Sequence, residues 1–426
     1  MLSCNGEHSR LKSINSAFTL IVFLGCCFSG LFYRESRKNA PEFQKKTPFF
    51  SRKDTEGYKK ILFWTAWNAQ RMSFSPNNQP DWLDECPESR CLFVSSKKRP
   101  QDADAVFFSM PDLYHFGEGD LPGARTKDQY YIFHLDESPD TTKELMPWHK
   151  WGALDNFFNL TMTYRRDSDI FSEVYLSGYE PHIMNLTTRG TDPLWFEGKR
   201  DILWLVSHCH TASKREEYVR RLSHYLKVDE YGKCDAPDPC RTQRKNCDLA
   251  NLVGKYKFYL SFENSFCNEY VTEKLTRALN TDVVPIVLGG ANYSSFLPKS
   301  AVINIEDFAS PKNLAKYLES LMENVTLYES HLSWKYPGQP LWTIPGTREP
   351  QYRRFCKLCE ILHRPPEQRI EKIYPSVKDW WFDGQCREPR VPFKRAQHSR
   401  NEAYLQNVFV DTLGAPESRK NKTSKA

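Results

Sequence analysis

KYKFYLSFENSFCNEYVTEKLTRALNTDVVPIVLGGANYSSFLPKSAVINI, residues 255–305, is the stretch that sets the fold. An apolar and aromatic run at 258–262 leads into a polar loop with Glu263, Asn264 and Ser265. A helical pattern covers 270–280, and further apolar runs follow at 283–288 and 301–305. Strand, loop, helix and strand in that order form the repeating unit of a parallel α/β sheet. Open sheets of this kind bind ligands beyond the carboxyl ends of their strands, which is where Glu263, Asn264 and Ser265 fall. Asn268 is placed to cap the helix, whose first turns present Tyr270, Thr272, Glu273 and Lys274. A helix N-terminus beside a lysine suits a diphosphate. The bland alternative is an ordinary βαβ unit with a solvated Glu-Lys pair, since fold does not imply function. The loop has neither Gly-x-Gly-x-x-Gly nor a P-loop, which argues against dinucleotide and ATP sites of those kinds.

The same alternation extends in both directions. Strands are expected at 61–67, 103–109, 130–135 and 160–164, then at 202–207, with a helix at 213–226. Ser310 at N-cap and Pro311 at N1 open another helix, with Leu314, Tyr317, Leu318 and Leu321 on one face. A stretch rich in Gly, Pro, Thr and Asn at 180–199 makes a natural hinge between two α/β units. The 426 residues are enough for two such domains. A hydrophobic content of 40% with 14% aromatics excludes a disordered or collagen-like chain. The net charge is +6, of which residues 391–426 supply +4 through seven Lys/Arg and three Asp/Glu. The remainder carries only +2, so no basic stripe marks a nucleic-acid partner.

Residues 17–33 (AFTLIVFLGCCFSGLFY) carry no formal charge, with Arg10 and Lys12 before them and Arg34, Arg37 and Lys38 after. As a helix this stretch just spans a thin bilayer. No small-x-small cleavage site follows, so an anchor is expected and not a cleaved signal peptide. Beyond it lie five Asn-x-Ser/Thr sequons, at Asn159, Asn185, Asn292, Asn324 and Asn421, and ten cysteines, an even number. Together they indicate a glycosylating, oxidising lumen. Residues 1–16 are then a cytosolic tail and 34–58 a polar stem.

The 255–305 run resembles the signature of the α1,3-fucosyltransferases. Phe262-Glu263-Asn264-Ser265, Tyr270-Val271-Thr272-Glu273-Lys274 and Val284-Pro285-Ile286-Val287-Leu288-Gly289 carry the match, which continues into Asp307-Phe308 and Ser310-Pro311. FNLTMTYRRDSDI at 158–170 and DESP at 136–139 look like two further family blocks. The resemblance covers most of the chain from about 61 to 382. It implies an α/β fold of the GT-B type, two Rossmann-like domains facing a cleft after a single N-terminal transmembrane helix. In this sequence these would be 59–185 on the acceptor side and 198–350 for GDP-fucose. Residues 351–390 would return to the first domain, with 391–426 as a basic tail. The implied protein is a single-pass type II Golgi enzyme with a luminal catalytic domain. It would move L-fucose from GDP-fucose, with inversion, to the 3-hydroxyl of GlcNAc in glycans of glycoproteins or glycolipids. No structural cofactor is implied, and a divalent cation such as Mn²⁺ enters only as a stimulant.

The resemblance also implies roles. Glu137 falls on the general-base position, and the chemistry asks for one, because the acceptor hydroxyl must lose a proton as it attacks. Its neighbour Asp136 would point the other way by strand alternation. Glu273 would stabilise positive charge on the fucose ring, while Glu263, Asn264, Tyr270 and Lys274 would bind the donor. Arg215 falls on the phosphate-binding position, with Lys214 as the alternative one residue away. Cys356 and Cys359 would be tied to Cys86 and Cys91, with the pairing open. Cys234, Cys240 and Cys247 lie in an insert-like loop to which no role is assigned.

Three clusters admit metal readings. Asp167-Ser168-Asp169 is an Asp-x-Asp, His208-Cys209-His210 could hold zinc, and Cys356-x-x-Cys359 with His363 has zinc-like spacing. The family blocks favour a metal-free reading of the first and disulfides for the cysteines. Three functions therefore compete: an active fucosyltransferase, a catalytically inactive luminal glycan- or nucleotide-binding relative, and a GT-B enzyme using another nucleotide sugar. Every expected charged residue is present, which favours the first. The acceptor stays open between antennary N-acetyllactosamine or LacdiNAc and the innermost GlcNAc of N-glycans.

Overall fold

The computed structural model describes residues 56–65, 79–113, 121–123, 125–145, 148–172, 195–232, 234, 248–336 and 352–389. The 17–33 span, nearly all of the stem, Asn185, Asn421, Cys240, Cys247 and the 391–426 tail lie outside them. Among the described residues no helix is long and apolar enough to cross a membrane. The described residues divide into two compact units at 134/135, with 359–370 returning to the first.

The first unit holds a parallel sheet. Its strands are β1 (Lys59–Phe63), β2 (Cys91–Val94), β3 (Ala105–Ser109) and β4 (Tyr130–Leu135), in the order β2-β1-β3-β4. The central strands read as unbroken apolar runs because both faces are covered; Ala105, Val106, Phe107, Ile132 and Phe133 are all fully buried. Residues 359–370 return to this sheet within the unit. Cys359 is disulfide-bonded to Cys91 on β2, and the Ile370 amide donates to Tyr130 Oη at 3.0 Å. The Cys91–Cys359 bond closes a separation of 268 residues. Replacing both cysteines by serine should cost ~2–5 kcal/mol, as for native disulfides of secreted domains. Denaturant unfolding checks it, and an unchanged midpoint would refute it.

The second unit contains β5 (Leu160–Thr163) paired in parallel with β6 (Ile170–Phe171). Its main sheet comprises β7 (Arg200–Val206), β8 (Val228–Gly232), β9 (Tyr256–Phe262), β10 (Val284–Leu288) and β11 (Ile303–Asn304). The order is β11-β10-β9-β7-β8, parallel throughout. Phe258, Leu260 and Phe262 of β9 pack on one side with Tyr218, Leu222, Leu314 and Leu318. Tyr256 and Tyr259 belong to a second cluster with Leu203 and Ala278. All seven residues of β9 are buried, Lys257 and Ser261 included, as in a parallel strand covered on both faces. The helix Pro311–Glu323 begins as expected: Ser310 Oγ accepts the Asn313 amide at 3.3 Å, and Leu314, Tyr317, Leu318 and Leu321 are buried.

Three strands fall outside the expected set, each for a physical reason. β2 is four residues, β6 is two, and β8 (VDEYG) is a polar edge strand half-buried along its length. The helix expected at 213–226 spans only Arg215–Leu222, and 223–225 turn out of it. Residues 135–172 fall in the second unit and make several bonds within it. Asn159 Nδ2 donates to Lys372 O at 2.9 Å, Tyr374 Oη to Asp169 Oδ2 at 2.8 Å, and the Arg165 guanidinium to Trp380 O.

Candidate active site

The site grows from the end of β9. Glu263, the residue after the strand, is 1% exposed. Its carboxylate accepts the Thr272 amide and hydroxyl, both at 2.9 Å, and Lys274 Nζ at 3.1 Å. Lys274 Nζ also donates to Thr272 Oγ1 at 2.7 Å. Burial pushes the Glu263 carboxyl upward against the pull of Lys274. Burial likewise opposes the charge of Lys274, but Glu263 and Glu273 outweigh it and hold its pKa above the usual range. Burial acts against the Glu273 carboxylate too, yet Lys274 and Arg277 bring it down to about 2. Its side chain, 42% exposed, lies 3.8 Å from Lys274 Nζ and 3.4 Å from Arg277 Nη2. This is a tightly bonded cluster of two carboxylates and a lysine at the carboxyl end of a central strand.

Thr272, and not Asn268, occupies the N-cap of the short helix Glu273–Leu279. The expectation for Asn268 is therefore corrected: its Nδ2 donates to Gly384 O at 3.1 Å. The helix starts later because Glu269 sits at φ 59° and residues 270–272 stay extended enough to reach back to Glu263.

Arg215 is 3% exposed and opens the helix Arg215–Leu222. Its guanidinium donates to Phe262 O at 2.6 Å and to His208 O at 3.1 Å, so it is anchored to the end of β9. Burial lowers its pKa, opposed first by Glu263. Lys214, the alternative, adopts φ 53° and turns outward, with its ammonium 3.5 Å from Glu388. Ser213 completes the junction, its Oγ donating to Glu263 O at 2.7 Å.

Glu137 follows β4 and meets the same loop. Its Oε1 accepts Tyr270 Oη at 2.5 Å and Asn264 Nδ2 at 3.3 Å. Tyr270 is 1% exposed and stacks edge-on against Tyr164 at 5.1 Å. Ser138 and Ser265, one residue further along each segment, share a hydroxyl hydrogen bond of 2.7 Å. Asp136 points elsewhere, to Arg354 Nη1 at 3.0 Å and Ser172 Oγ at 2.9 Å. Two buried atoms, Asn264 Oδ1 and Arg215 Nε, have no partner among the described residues.

Glu137, Asn264 and Tyr270 thus meet in one group, and Glu263, Glu273 and Lys274 in another on the same loop. Sequence reasoning assigns no role to Thr272 as the pivot of this cluster, to Arg277 or to Ser213. Their only local sign was a hydroxyl directly before Glu273-Lys274 and another before Lys214-Arg215. The Asp-x-Asp carboxylates are both engaged, Asp167 by Arg165 and Asp169 by Thr161, Lys372 and Tyr374. Each of the eight described cysteines is in a disulfide. Cys209 pairs with Cys234, and Cys359 with Cys91, so neither zinc-like cluster offers a free thiolate from those residues. Of the described sequons, Asn292 and Asn324 are exposed and Asn159 is 8% exposed.

Comparison with known proteins identifies the family. Residues 195–380 match the family described as "Glycosyltransferase family 10 (fucosyltransferase) C-term", and residues 56–175 match "Fucosyltransferase, N-terminal". The chain is 32% identical to Alpha-(1,3)-fucosyltransferase C of Drosophila melanogaster over 77% of its own length and 78% of the relative's. It is 35% identical to the Pongo pygmaeus 4-galactosyl-N-acetylglucosaminide 3-alpha-L-fucosyltransferase FUT6, over 84% of this chain and 93% of that one. A crystal structure of an alpha1,3-fucosyltransferase with GDP-fucose is similar at 15% identity and a TM-score of 0.46, covering 74% of this chain and 92% of the other. A double family match and two long relatives above 30% identity settle the membership: this chain belongs to glycosyltransferase family 10 and is a fucosyltransferase.

Proposed function

We propose that the protein transfers L-fucose from GDP-fucose to the 3-hydroxyl of GlcNAc in glycoprotein or glycolipid glycans, with inversion. The observation that carries this is the grip of Tyr270 and Asn264 on the Glu137 carboxylate, on the loop that also bears the Glu263–Lys274 pair. The relatives support the linkage and sugar, one being an α1,3-fucosyltransferase and the other acting on 4-galactosyl-N-acetylglucosaminide.

In this reaction the acceptor oxygen forms a bond to the fucose anomeric carbon as the bond from that carbon to the diphosphate breaks. The proton goes to Glu137. Tyr270 and Asn264 bind only its Oε1, which orients the carboxylate and leaves Oε2 to receive the proton. Negative charge grows on GDP, and the cations placed to meet it are Lys274 and Arg215. Charges fixed in a buried site need no reorganisation and act in a weakly screening medium. Glu273, ionised and partly exposed, supplies the negative charge that an oxocarbenium-like ring calls for.

The wider reading is a GT-B arrangement with 59–185 on the acceptor side and 198–350 on the donor side. The enzyme would be held in the Golgi membrane by residues 17–33, with Mn²⁺ no more than a stimulant. The test is the full-length protein with GDP-[14C]fucose and a panel of N-acetyllactosamine, LacdiNAc and core N-glycan acceptors, with linkage analysis of the products. An α1,3-fucosylated GlcNAc is the expected product. Glycan or GDP binding without transfer would replace this reading with the inactive relative.

A further inference from the structure

Residues 384–388 lie against the loop that carries the candidate site. Cys386 is disulfide-bonded to Cys267, and the two form an antiparallel bridge. Backbone pairing flanks that bond: the Asn268 amide donates to Gln385 O at 2.7 Å and the Arg387 amide to Phe266 O at 2.9 Å. Arg387 then makes two bonds to the Glu306 carboxylate, at 2.8 and 2.7 Å, and lies 5.0 Å over the Phe266 ring. The loop has no room to retreat from this contact. A Cβ on Gly290 would stand 2.5 Å from Cys267 O, so only glycine lets β10 and its following turn press against the loop. Residues 266–268 are clamped between the two.

The clamped segment separates Asn264 from Tyr270, the two residues that hold Glu137. The helix just before this segment, Val377–Phe382, also reaches Tyr270, through Tyr164. Trp381 stacks edge-on with Tyr164 at 5.7 Å, and Tyr164 edge-on with Tyr270 at 5.1 Å. By contrast, Glu263, Lys274 and Arg215 are fixed by bonds that involve none of residues 384–388.

We propose that residues 384–388 are a positioning strap, latched by Cys267–Cys386, that sets Tyr270 and Asn264 and through them the Glu137 carboxylate. This rests on Glu137 being the base. The strap touches no reacting atom; it acts by holding the loop to within the small tolerance that proton transfer requires. Loosening it should therefore slow turnover and leave donor affinity in place.

The test uses the full-length chain in four forms: wild type, Cys267→Ser/Cys386→Ser, Glu137→Gln, and the three changes combined. Removing both cysteines avoids a free thiol that could mispair. The disulfide variant should lose about tenfold to a hundredfold in kcat, with KM for GDP-fucose within about twofold of wild type. In the Glu137→Gln background the same change should cost nothing further, because the group being positioned is gone. An equal loss in both backgrounds would make the strap merely structural and overturn the proposal. So would a rise in KM for GDP-fucose at unchanged kcat. If the disulfide variant does not fold, Arg387→Ala keeps the covalent bond, removes the Glu306 pair and faces the same two criteria. Failure of the base assignment itself shows separately, as wild-type transfer by Glu137→Gln alone.

Discussion

Glu137→Gln should cut fucosyl transfer by at least ~10²-fold, the usual contribution of a positioned general base. Glutamine keeps the length of the side chain, and its carbonyl oxygen can still accept from Tyr270 Oη and Asn264 Nδ2, the contacts Glu137 makes at 2.5 and 3.3 Å. What it loses is the ability to take the acceptor proton. GDP affinity should stay near the wild-type value, since the bonds of Arg215 and Lys274 do not involve Glu137. Calorimetry with GDP, beside transfer at saturating acceptor, separates the two effects. A variant that merely misfolds would lose both. Transfer at the wild-type rate would dismiss Glu137 as base. Asp136 is then no ready substitute, because its carboxylate is committed to Arg354 and Ser172.

Lys274→Ala should lower kcat/KM for GDP-fucose by ~10²–10³-fold, as for loss of one well-placed group that meets developing charge. The kcat part matters most, because charge on the diphosphate grows between ground state and transition state. The structure adds a complication that the sequence could not show. Lys274 is also the cation paired with Glu263, a carboxylate only 1% exposed. Removing one partner of a buried pair commonly costs roughly 3–5 kcal/mol of stability, because the other charge is left without compensation. Glu263 is already pushed upward by burial, so without Lys274 it should take up a proton more readily. Glu263→Gln/Lys274→Ala removes both charges and should recover much of the stability but none of the activity. Thermal melts of the single and double variants, read beside kcat, check the division. If the double variant regains turnover, Lys274 serves the fold alone and Arg215 must carry the diphosphate charge.

The parallel α/β character, the β9–loop–β10 unit and the helix after Ser310 were legible in the sequence because each depends on residues close together along the chain. Unbroken apolar runs mark strands covered on both faces, and Ser310-Pro311 is a local start signal. Short or polar strands escaped for the same reason. Nothing in VDEYG at 228–232 separates an edge strand from a loop until β7 lies beside it. The helix after Thr272 was expected too early because its start is set by a contact from Thr272 back to Glu263, nine residues away, and not by the capping power of Asn268.

The sequence by itself determined the family, through blocks of residues whose order survives without any knowledge of contacts, and it nominated the charged residues of the site. It ranked them only through the family blocks, Glu137 above Asp136 and Arg215 above Lys214, and not through any contact. Asp136 and Glu137 are chemically alike and adjacent, as are Lys214 and Arg215. Only the tertiary structure sends Asp136 to Arg354, 218 residues away, and Glu137 to Tyr270, 133 residues away. Only the fold buries Arg215 against Phe262 while Lys214 turns outward. It also decides that Lys274 neutralises Glu263 and that Cys267 finds Cys386. The reason is the same in each case. Residue type and local pattern fix which charges and thiols are available, but desolvation and partner choice arise only when distant segments meet, and those decide what each group can do.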